Sequence, residues 1–338
     1  MSVLEVTDLT VRFGRGSTQI TAVDAVSFAM SAGQTVALVG ESGSGKSTVV
    51  RAVSQLVRPA AGQIVLDGER AGRHGSALRA YRRRVQPIFQ DPYASLNPMH
   101  TVRHHLVRPL RLAGRHLRGE QLDNAVHEML RAVNLSPAEA MASKHPHELS
   151  GGQRQRVAIA RALATQPDVL LADEPVSMLD VSIRLEILNL LDRLKREHNL
   201  ALLYVTHDLA TARHFSAEIM VMYRGEIVER GPADRVILHP AHPYTQLLAA
   251  AAPNPSLSRA SSAAARAARQ QARIGKAAER REAVLDVGCR FRSRCPQAMA
   301  ICQDRPPDLE AAAGHQARCW LYDGTAGTGS AQSSRATA

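Results

Sequence analysis

The most constraining feature of this sequence is the stretch GESGSGKST, Gly40–Thr48, which stands between an apolar run and a helical pattern. The run TVALV before it predicts a buried strand, and TVVRAVSQLV predicts a helix that follows. Glycines at this spacing allow successive backbone N–H groups to surround phosphates, and the helix N-terminus adds partial positive charge. The sequence therefore predicts a nucleoside triphosphate site, an α/β fold and a strand–loop–helix arrangement around it.

Two residues of this loop have side chains suited to the phosphates and their metal ion. Lys46 is expected to bridge the β- and γ-phosphates, and the Ser47 hydroxyl is expected to ligate Mg²⁺. The predicted ATP-binding residues of the loop are Gly40, Glu41, Ser42, Gly43, Ser44, Gly45, Lys46, Ser47 and Thr48.

A second apolar run, DVLLADE, ends in the acidic pair Asp173 and Glu174. Such a run fits a buried parallel strand, which would deliver the two carboxylates to the sheet edge where ligands bind. Asp173 is expected to hold the Mg²⁺ shell, and Glu174 is expected to polarise the attacking water. An acidic pair after a strand is often only a turn, but the phosphate loop in the same chain favours the catalytic interpretation.

Composition and charge exclude several classes of protein. The net charge of +11 is concentrated at the end of the chain, since residues 254–338 hold 13 Lys and Arg against 7 Asp and Glu. No aromatic platform accompanies the arginines, so a nucleic-acid partner is not expected. No apolar run reaches membrane-spanning length, and the first residues lack an export signal. The four cysteines are therefore expected to be thiols or ligands rather than disulfides.

Five motifs occur in a diagnostic order: GESGSGKST, FQDP, LSGGQRQR, LLADEP and VTHD. Together they resemble the ATP-binding subunits of ABC transporters over roughly residues 3–250. In that family two nucleotide domains pair head to tail, and each ATP lies between the phosphate loop of one and the signature of the other. The signature residues that would contact the ATP of the partner are Ser150, Gly151, Gly152 and Gln153.

The resemblance also implies roles for residues outside the loop and the signature. Phe13 resembles the aromatic residue that stacks on adenine, although a lone Phe at a strand end is often a core residue. Gln90 matches the glutamine that contacts Mg²⁺ and the attacking water, and His207 matches the histidine that contacts the γ-phosphate. The catalytic set is thus Glu174, His207 and Gln90, and the Mg²⁺ set is Ser47, Gln90 and Asp173.

The same resemblance implies a domain organisation. The expected fold is an ABC-type P-loop ATPase domain with a mixed sheet core, an antiparallel β subdomain and a helical subdomain. A small cysteine-bearing C-terminal extension is expected to follow it. Composition and apolar periodicity set the predicted boundaries, which are 1–253 for the ATPase domain, 254–283 for a linker or a loose helix, 284–322 for the extension and 323–338 for a disordered tail. The resemblance places the helical subdomain at about 101–165.

The C-terminal part indicates a branch of the family. HPAHPYTQLLAA, residues 239–250, and the cysteine-bearing stretch resemble the dipeptide, oligopeptide and nickel importers. The expected function is the ATP-hydrolysing motor that energises import of peptides, with nickel, glutathione or a sugar left open as substrate. A soluble ABC ATPase acting on ribosomes or DNA is the alternative, which a single uninterrupted cassette disfavours.

The resemblance implies several protein partners and a location. These are a second ABC ATPase subunit forming a heterodimer, two transmembrane permease subunits and an extracytoplasmic substrate-binding protein. No nucleic acid is expected among the partners. The chain would lie peripherally on the cytoplasmic face of the cell membrane.

The cysteines Cys289, Cys295, Cys302 and Cys319 have the spacing C-x5-C-x6-C-x16-C. Zinc sites favour paired C-x2-4-C hooks, and this stretch contains none. Four thiolates on an irregular loop suit a 4Fe-4S cluster better, and the resemblance implies a cluster in this extension. Zinc and free or redox-active thiols remain the alternatives.

Overall fold

The fold is that of a computed structural model, which describes residues 2–113, 117–251 and 288–323. The predicted linker lies outside the described residues, as does the predicted tail from residue 324 onward. The chain divides into two units, which are described separately. The first unit comprises Met1–Leu38 and Gly45–His207, and the second comprises Val39–Ser44 and Asp208–Ala338.

The strands of the described residues are short except for the first two. In chain order they are β1 (Ser2–Phe13), β2 (Ile20–Ser31), β3 (Thr35–Val39), β4 (Ala61–Leu66), β5 (Glu69–Arg70), β6 (Val85–Ile88), β7 (Val169–Asp173), β8 (Ala201–Thr206), β9 (Glu218–Tyr223), β10 (Glu226–Pro232), β11 (Leu309–Ala312) and β12 (His315–Ala317).

The α-helices of the described residues alternate with these strands over much of the chain. In chain order they are α1 (Lys46–Val53), α2 (Gly75–Arg84), α3 (Pro92–Ser95), α4 (Val102–Leu112), α5 (Gly119–Ala132), α6 (Ala138–Ser143), α7 (Gly151–Leu163), α8 (Val181–His198), α9 (Leu209–Phe215), α10 (Ala233–Leu238) and α11 (Pro243–Ala251). None of the helices in residues 2–113, 117–251 and 288–323 combines the length and the hydrophobicity needed to cross a bilayer.

An antiparallel sheet in the first unit has the strand order β2-β1-β4-β5. In β2 the side chains of Val26, Phe28 and Met30 are buried and the residues between them are not. This alternation follows from the period of two in a strand and places one face of the sheet against the core. The structure thus contains an antiparallel β sheet of the kind expected from the sequence.

A second group of strands in the first unit has the order β3-β8-β7-β6, and β6, β7 and β8 are parallel. Every residue of β7 and β8 is buried. Continuous apolar strands of this kind are typical of a parallel sheet that is covered on both faces. The carboxyl ends of the three strands consequently lie at one edge, and residues that follow each strand can meet there.

Four helices, α4 to α7, lie within the predicted helical segment of about 101–165. Helix α4 begins after Thr101, whose hydroxyl accepts a hydrogen bond from the His104 N–H at 3.4 Å. Its buried residues Val102, Leu106 and Leu110 recur at a spacing of four, which gives one apolar face. Helices α4 to α7 thus occupy this segment of the chain.

In the second unit the strand order is β9-β10-β12-β11, and the pairs are antiparallel. Because β12 pairs with β10, residues after 288 contribute to the same sheet as residues before 251. Glu229 of β10 is buried and accepts backbone N–H groups of Ala241 and His242, each at 2.8 Å. Its Oε1 also lies 2.7 Å from Nε2 of His315 in β12. This one carboxylate joins β10, β12 and the segment before α11.

We predict that His315→Ala destabilises the second unit. The change leaves the Glu229 carboxylate buried without its imidazole partner, which costs about 3 kcal/mol for a broken buried pair. The thermal unfolding midpoint should therefore fall by at least about 5 °C. His214→Ala, which removes an exposed histidine of the same unit, serves as the matched control. Equal midpoints for the two variants would show that the pair contributes nothing to stability.

Candidate functional site

The phosphate loop Gly40–Thr48 runs from β3 to α1, and its conformation requires glycine at three positions. The backbone φ angle is +84° at Gly43 and +108° at Gly45, which residues with a side chain rarely adopt. A Cβ atom at Gly40 would lie 2.2 Å from the Met222 carbonyl oxygen. The conformation of the loop therefore requires glycine at these three positions.

Lys46 and Ser47, two residues of the predicted ATP site, are the first residues of helix α1 in the first unit. Lys46 is 5% exposed. The Ser47 hydroxyl donates a hydrogen bond of 3.0 Å to Oδ1 of Asp173, the last residue of β7. Burial raises the pKa of the Asp173 carboxyl above its ordinary value. A hydroxyl and a carboxylate at this distance are ligand types that Mg²⁺ prefers, so the structure brings together two of the three predicted Mg²⁺ residues.

Glu174 is the meeting point of the three predicted catalytic residues. Its Oε2 accepts a hydrogen bond of 3.2 Å from Nε2 of Gln90 and lies 3.3 Å from Nδ1 of His207. Gln90 follows β6, Glu174 follows β7 and His207 follows β8. The parallel pairing of these strands is what brings the three side chains together. The first unit thereby contains a carboxylate held by an amide and an imidazole.

The backbone of Glu174 is left-handed, with φ at +46°. Its N–H donates to the Val205 carbonyl oxygen at 3.0 Å, so the residue stays tied to β8. Residues held in this region of φ and ψ without being glycine are frequent at functional sites. The two adjacent carboxylates have different partners, Ser47 for Asp173 and the pair Gln90 and His207 for Glu174.

The signature segment forms the N-terminus of α7. The Ser150 hydroxyl accepts the Gln153 N–H at 3.2 Å, and the Gln153 side chain accepts the Ser150 N–H at 3.0 Å, which is a capping box. A Cβ atom at Gly152 would lie 2.9 Å from Cγ2 of Ile183 in α8, and at Gly151 it would lie 3.4 Å from Leu179. Gly152 therefore has a packing role within this chain, which the sequence analysis did not anticipate.

Comparison with known proteins gives matches to both parts of the chain. A family model described as "ABC transporter" matches residues 23–177, and one described as "Oligopeptide/dipeptide transporter, C-terminal region" matches residues 228–302. A probable peptide ABC transporter ATP-binding protein of Sinorhizobium fredii is 42% identical over 86% of this chain and 79% of its own length. The oligopeptide transport ATP-binding protein AppF of Bacillus subtilis is 39% identical over 92% of each chain. The chain belongs to the family of ABC transporter ATP-binding proteins.

Solved structures agree with this assignment. CbiO1 of Clostridium perfringens, part of an ABC transporter complex, aligns with a TM-score of 0.62 at 25% identity and covers 70% of this chain and 91% of its own. A dimeric ATP-binding cassette in a post-hydrolysis state with ADP and Pi aligns with a TM-score of 0.61 at 32% identity, over 68% and 98% of the two chains. The mixed α/β ABC ATPase fold that the sequence predicts is confirmed. As a member of this family, the protein is an ATPase that uses ATP and Mg²⁺.

Phe13 of this ABC ATPase is the last residue of β1, and its side chain is not part of the core. The residue is 45% exposed. A ring at a strand end with this exposure is accessible for stacking, whereas a core phenylalanine would be covered on all sides. Phe13 is therefore a surface residue rather than a core residue.

All four cysteines lie in the second unit and line one cavity. Cys302 and Cys319 are buried, Cys289 and Cys295 are half-buried, and none of the four forms a disulfide. Burial raises the pKa of the Cys289 thiol to about 11 and also raises the pKa of the Cys295 and Cys319 thiols. The four cysteines, which are spread over the sequence, thus converge on one cavity in space.

The described part of the chain contains no group of three or more His, Cys, Asp or Glu side chains arranged to hold a single metal ion. A tetrahedral zinc site needs its sulfurs at about 2.3 Å from one point. The described residues therefore give no support for a metal centre at the four thiols, whether mononuclear zinc or a 4Fe-4S cluster.

Two residues that contact the phosphate loop escaped the sequence analysis. Tyr244 of the His-Pro-Tyr-Thr segment accepts a hydrogen bond at its hydroxyl from the Glu41 N–H at 3.0 Å. Arg294, one residue before Cys295, faces the Glu41 carboxylate. Each is more than 200 residues away in the chain. No local pattern indicates a contact over such a separation. The segment around Tyr244 contributes to the family resemblance, but that resemblance does not indicate a contact with the phosphate loop.

Proposed function

We propose that this ABC ATPase is the motor subunit of a dipeptide or oligopeptide importer. The observation that supports the proposal most directly is the match of residues 228–302 to the C-terminal region of oligopeptide and dipeptide transporters. The two relatives named above, at 42% and 39% identity, carry names of peptide transport proteins. These names favour the importer over a soluble ABC ATPase that acts on ribosomes or DNA.

The importer would assemble from several proteins. Two ATPase subunits, this chain and a different second one, pair as a heterodimer and bind two transmembrane permease subunits. An extracytoplasmic binding protein delivers the substrate, and this chain lies peripherally on the cytoplasmic face of the membrane. No nucleic acid takes part. Peptide importers of this family require permease and binding-protein partners, which supports the proposal. The pairing with a different ATPase subunit is a more specific part of the same proposal.

ATP would bind at the phosphate loop through the residues that the sequence singled out. Backbone N–H groups of Gly40–Thr48 surround the phosphates, and Lys46 neutralises the β- and γ-phosphates. Ser47 and Asp173 hold Mg²⁺, which their 3.0 Å hydrogen bond supports. Phe13 stacks on the adenine, and its exposure supports this role.

Hydrolysis would depend on the carboxylate of Glu174. Gln90 and His207 contact the same oxygen of this carboxylate, and they orient it toward an attacking water. Gln90 is also the third Mg²⁺ residue, and His207 reaches the γ-phosphate. The contact between an amide, an imidazole and a carboxylate at the ends of adjacent strands supports the assignment of all three as catalytic residues.

The signature would serve the ATP of the partner subunit. Ser150 is exposed at the N-terminus of α7, and its hydroxyl and the N–H groups of Gly151 and Gly152 are expected to face the γ-phosphate across the dimer, with Gln153 completing the signature. The capping box supports the proposal because it orients the Ser150 hydroxyl at the helix end.

The domain organisation proposed here keeps the boundaries predicted from the sequence. Residues 1–253 form the ATPase domain, with the helical subdomain at about 101–165, and 284–322 form the cysteine-bearing extension after the linker. We propose that the extension holds a 4Fe-4S cluster, which would supply a structural or redox centre. Cys289, Cys295, Cys302 and Cys319 would be its ligands, and their convergence on one cavity supports this.

The import function can be tested with the complex that co-purifies with this chain from membranes. Reconstituted in liposomes, the wild type should drive ATP-dependent uptake of a tripeptide. Lys46→Ala should abolish both ATP binding and uptake, because the charge facing the phosphates is lost. Ser150→Arg should leave ATP affinity of the isolated chain unchanged but abolish uptake, because the signature acts on the nucleotide of the partner.

Three outcomes would contradict parts of the proposal. Uptake of nickel, glutathione or a sugar in place of the tripeptide would reject the peptide substrate. Collapse of ATP affinity in the isolated Ser150→Arg chain would reject the composite site. Co-purification with ribosomes or DNA, without membrane proteins, would reject the importer.

For the catalytic carboxylate, Glu174→Gln keeps the size and the hydrogen bonding of the side chain but removes its basicity. Hydrolysis should fall by about 10²- to 10⁴-fold, while ATP still binds. Single-turnover hydrolysis in the complete complex is the measurement, because it separates turnover at this chain's own site from turnover at the site of the other subunit. Glu197→Gln, an exposed carboxylate of α8, is the control. Near-normal turnover in Glu174→Gln would mean that another group orients the water.

The cysteine site predicts the metal content of the protein. Chain purified without oxygen should be brown and contain roughly four irons. Cys302→Ser should lower the iron content, because it replaces a buried ligand of the cavity. Colourless protein with stoichiometric zinc, or with neither metal, would reject the cluster and leave the zinc or free-thiol alternative.

A further inference from the structure

The phosphate loop and the segment between the first two cysteines are joined by an ion pair within the second unit. Nη1 of Arg294 lies 3.4 Å from Oε2 of Glu41, and Nη2 lies 3.5 Å from Oε1. The guanidinium therefore faces both carboxylate oxygens in the manner of a two-pronged pair. The Arg294 side chain is 5% exposed and that of Glu41 is 18% exposed, so water is largely excluded from the contact.

Aromatic rings hold Arg294 in place. Its guanidinium carbon lies 5.8 Å from the centre of the Tyr223 ring and 5.6 Å from that of Phe291. Tyr223, Tyr244 and Phe291 contact one another with ring centres 4.5 to 5.5 Å apart. Phe291 also lines the cysteine cavity. The arginine is thus oriented by a buried aromatic cluster that is continuous with the lining of that cavity.

A second connection reaches the loop at Ser44. The Ser44 carbonyl oxygen accepts the Gly225 N–H at 2.8 Å. The neighbouring Arg224 carbonyl oxygen accepts a hydrogen bond from the Arg290 guanidinium. Arg290 pairs in turn with the buried Glu226 at 3.4 Å. The segment from Cys289 to Cys295 therefore supports the loop at both Glu41 and Ser44.

The ion pair between Glu41 and Arg294 affects the electrostatic environment of the phosphate loop. A carboxylate at the second position of a phosphate-binding loop repels the negative charge of ATP unless a cation offsets it. Arg294 supplies that cation and directs the carboxylate toward itself. Tyr244 accepts the Glu41 N–H, and Arg294 faces the Glu41 carboxylate. The backbone N–H and the side chain of Glu41 are therefore each held by another residue of the second unit.

We propose that Arg294 is a positioning residue for ATP binding, which neutralises Glu41 and holds the first half of the phosphate loop in its binding conformation. The cysteine-bearing segment thereby contributes directly to the nucleotide affinity of its own chain. The inference rests on the proposed role of Gly40–Thr48 as the ATP phosphate loop.

The test is the Kd for ATP with Mg²⁺, measured by calorimetric titration of the purified full chain. Arg294→Ala should raise the Kd about 10-fold, which corresponds to 1.4 kcal/mol. Arg294→Lys should raise it less, because lysine keeps the charge but not the planar fork. Arg292→Ala is the control: Arg292 lies in the same turn and lines the cavity, and among the described residues no hydrogen bond or ion pair joins it to the loop. Its Kd should stay within about 2-fold of the wild type.

A double-mutant cycle separates positioning from a general disturbance of the structure. Glu41→Gln in the Arg294→Ala background should restore most of the lost affinity, because the carboxylate that repels ATP is then gone. Wild-type affinity in Arg294→Ala would overturn the inference, as would a loss that Glu41→Gln does not relieve. Lys46→Ala is measured alongside. If Lys46→Ala also binds ATP normally, the loop assignment itself fails, whereas its loss of binding confines any failure to the role of Arg294.

Discussion

The parallel pairing of β6, β7 and β8 is the constraint on which the candidate catalytic arrangement depends. Three side chains from distant parts of the chain meet because each follows a strand that ends at the same edge of the sheet. The register is equally important. A slip of β7 by one residue would turn Asp173 to the other face of the sheet, and its hydrogen bond to Ser47 would be lost.

Asp173 and Glu174 are adjacent in sequence but have different partners: Asp173 contacts Ser47, whereas Glu174 contacts Gln90 and His207. The backbone of Glu174 is left-handed, with φ at +46°. Such a conformation costs of the order of 1–3 kcal/mol and persists only when surrounding contacts impose it. The hydrogen bond from the Glu174 N–H to Val205 is one of these contacts.

Features governed by local chemistry could be predicted from the sequence. The phosphate loop, the buried strands, the amphipathic helices and the helix that starts at Ser150 all follow from residue spacing within short windows. The contacts of Glu229 with His315 and of Glu41 with Arg294 could not be predicted, because they join residues far apart and no periodic pattern marks them. The packing of Gly152 against α8 escaped for the same reason, since a close approach between two helices is a tertiary property.

The charged residues near the cysteines affect the reactivity of the thiols. A reactive cysteine needs an electropositive surrounding that lowers its pKa. Arg290 and Arg294 flank Cys289 and Cys295 in sequence, yet each is paired with a carboxylate, Glu226 for one and Glu41 for the other. Their positive charge therefore stabilises the acidic residues rather than a thiolate, and burial raises the thiol pKa further. Burial and the pairing of both arginines therefore disfavour a role for Cys289 and Cys295 as reactive thiols.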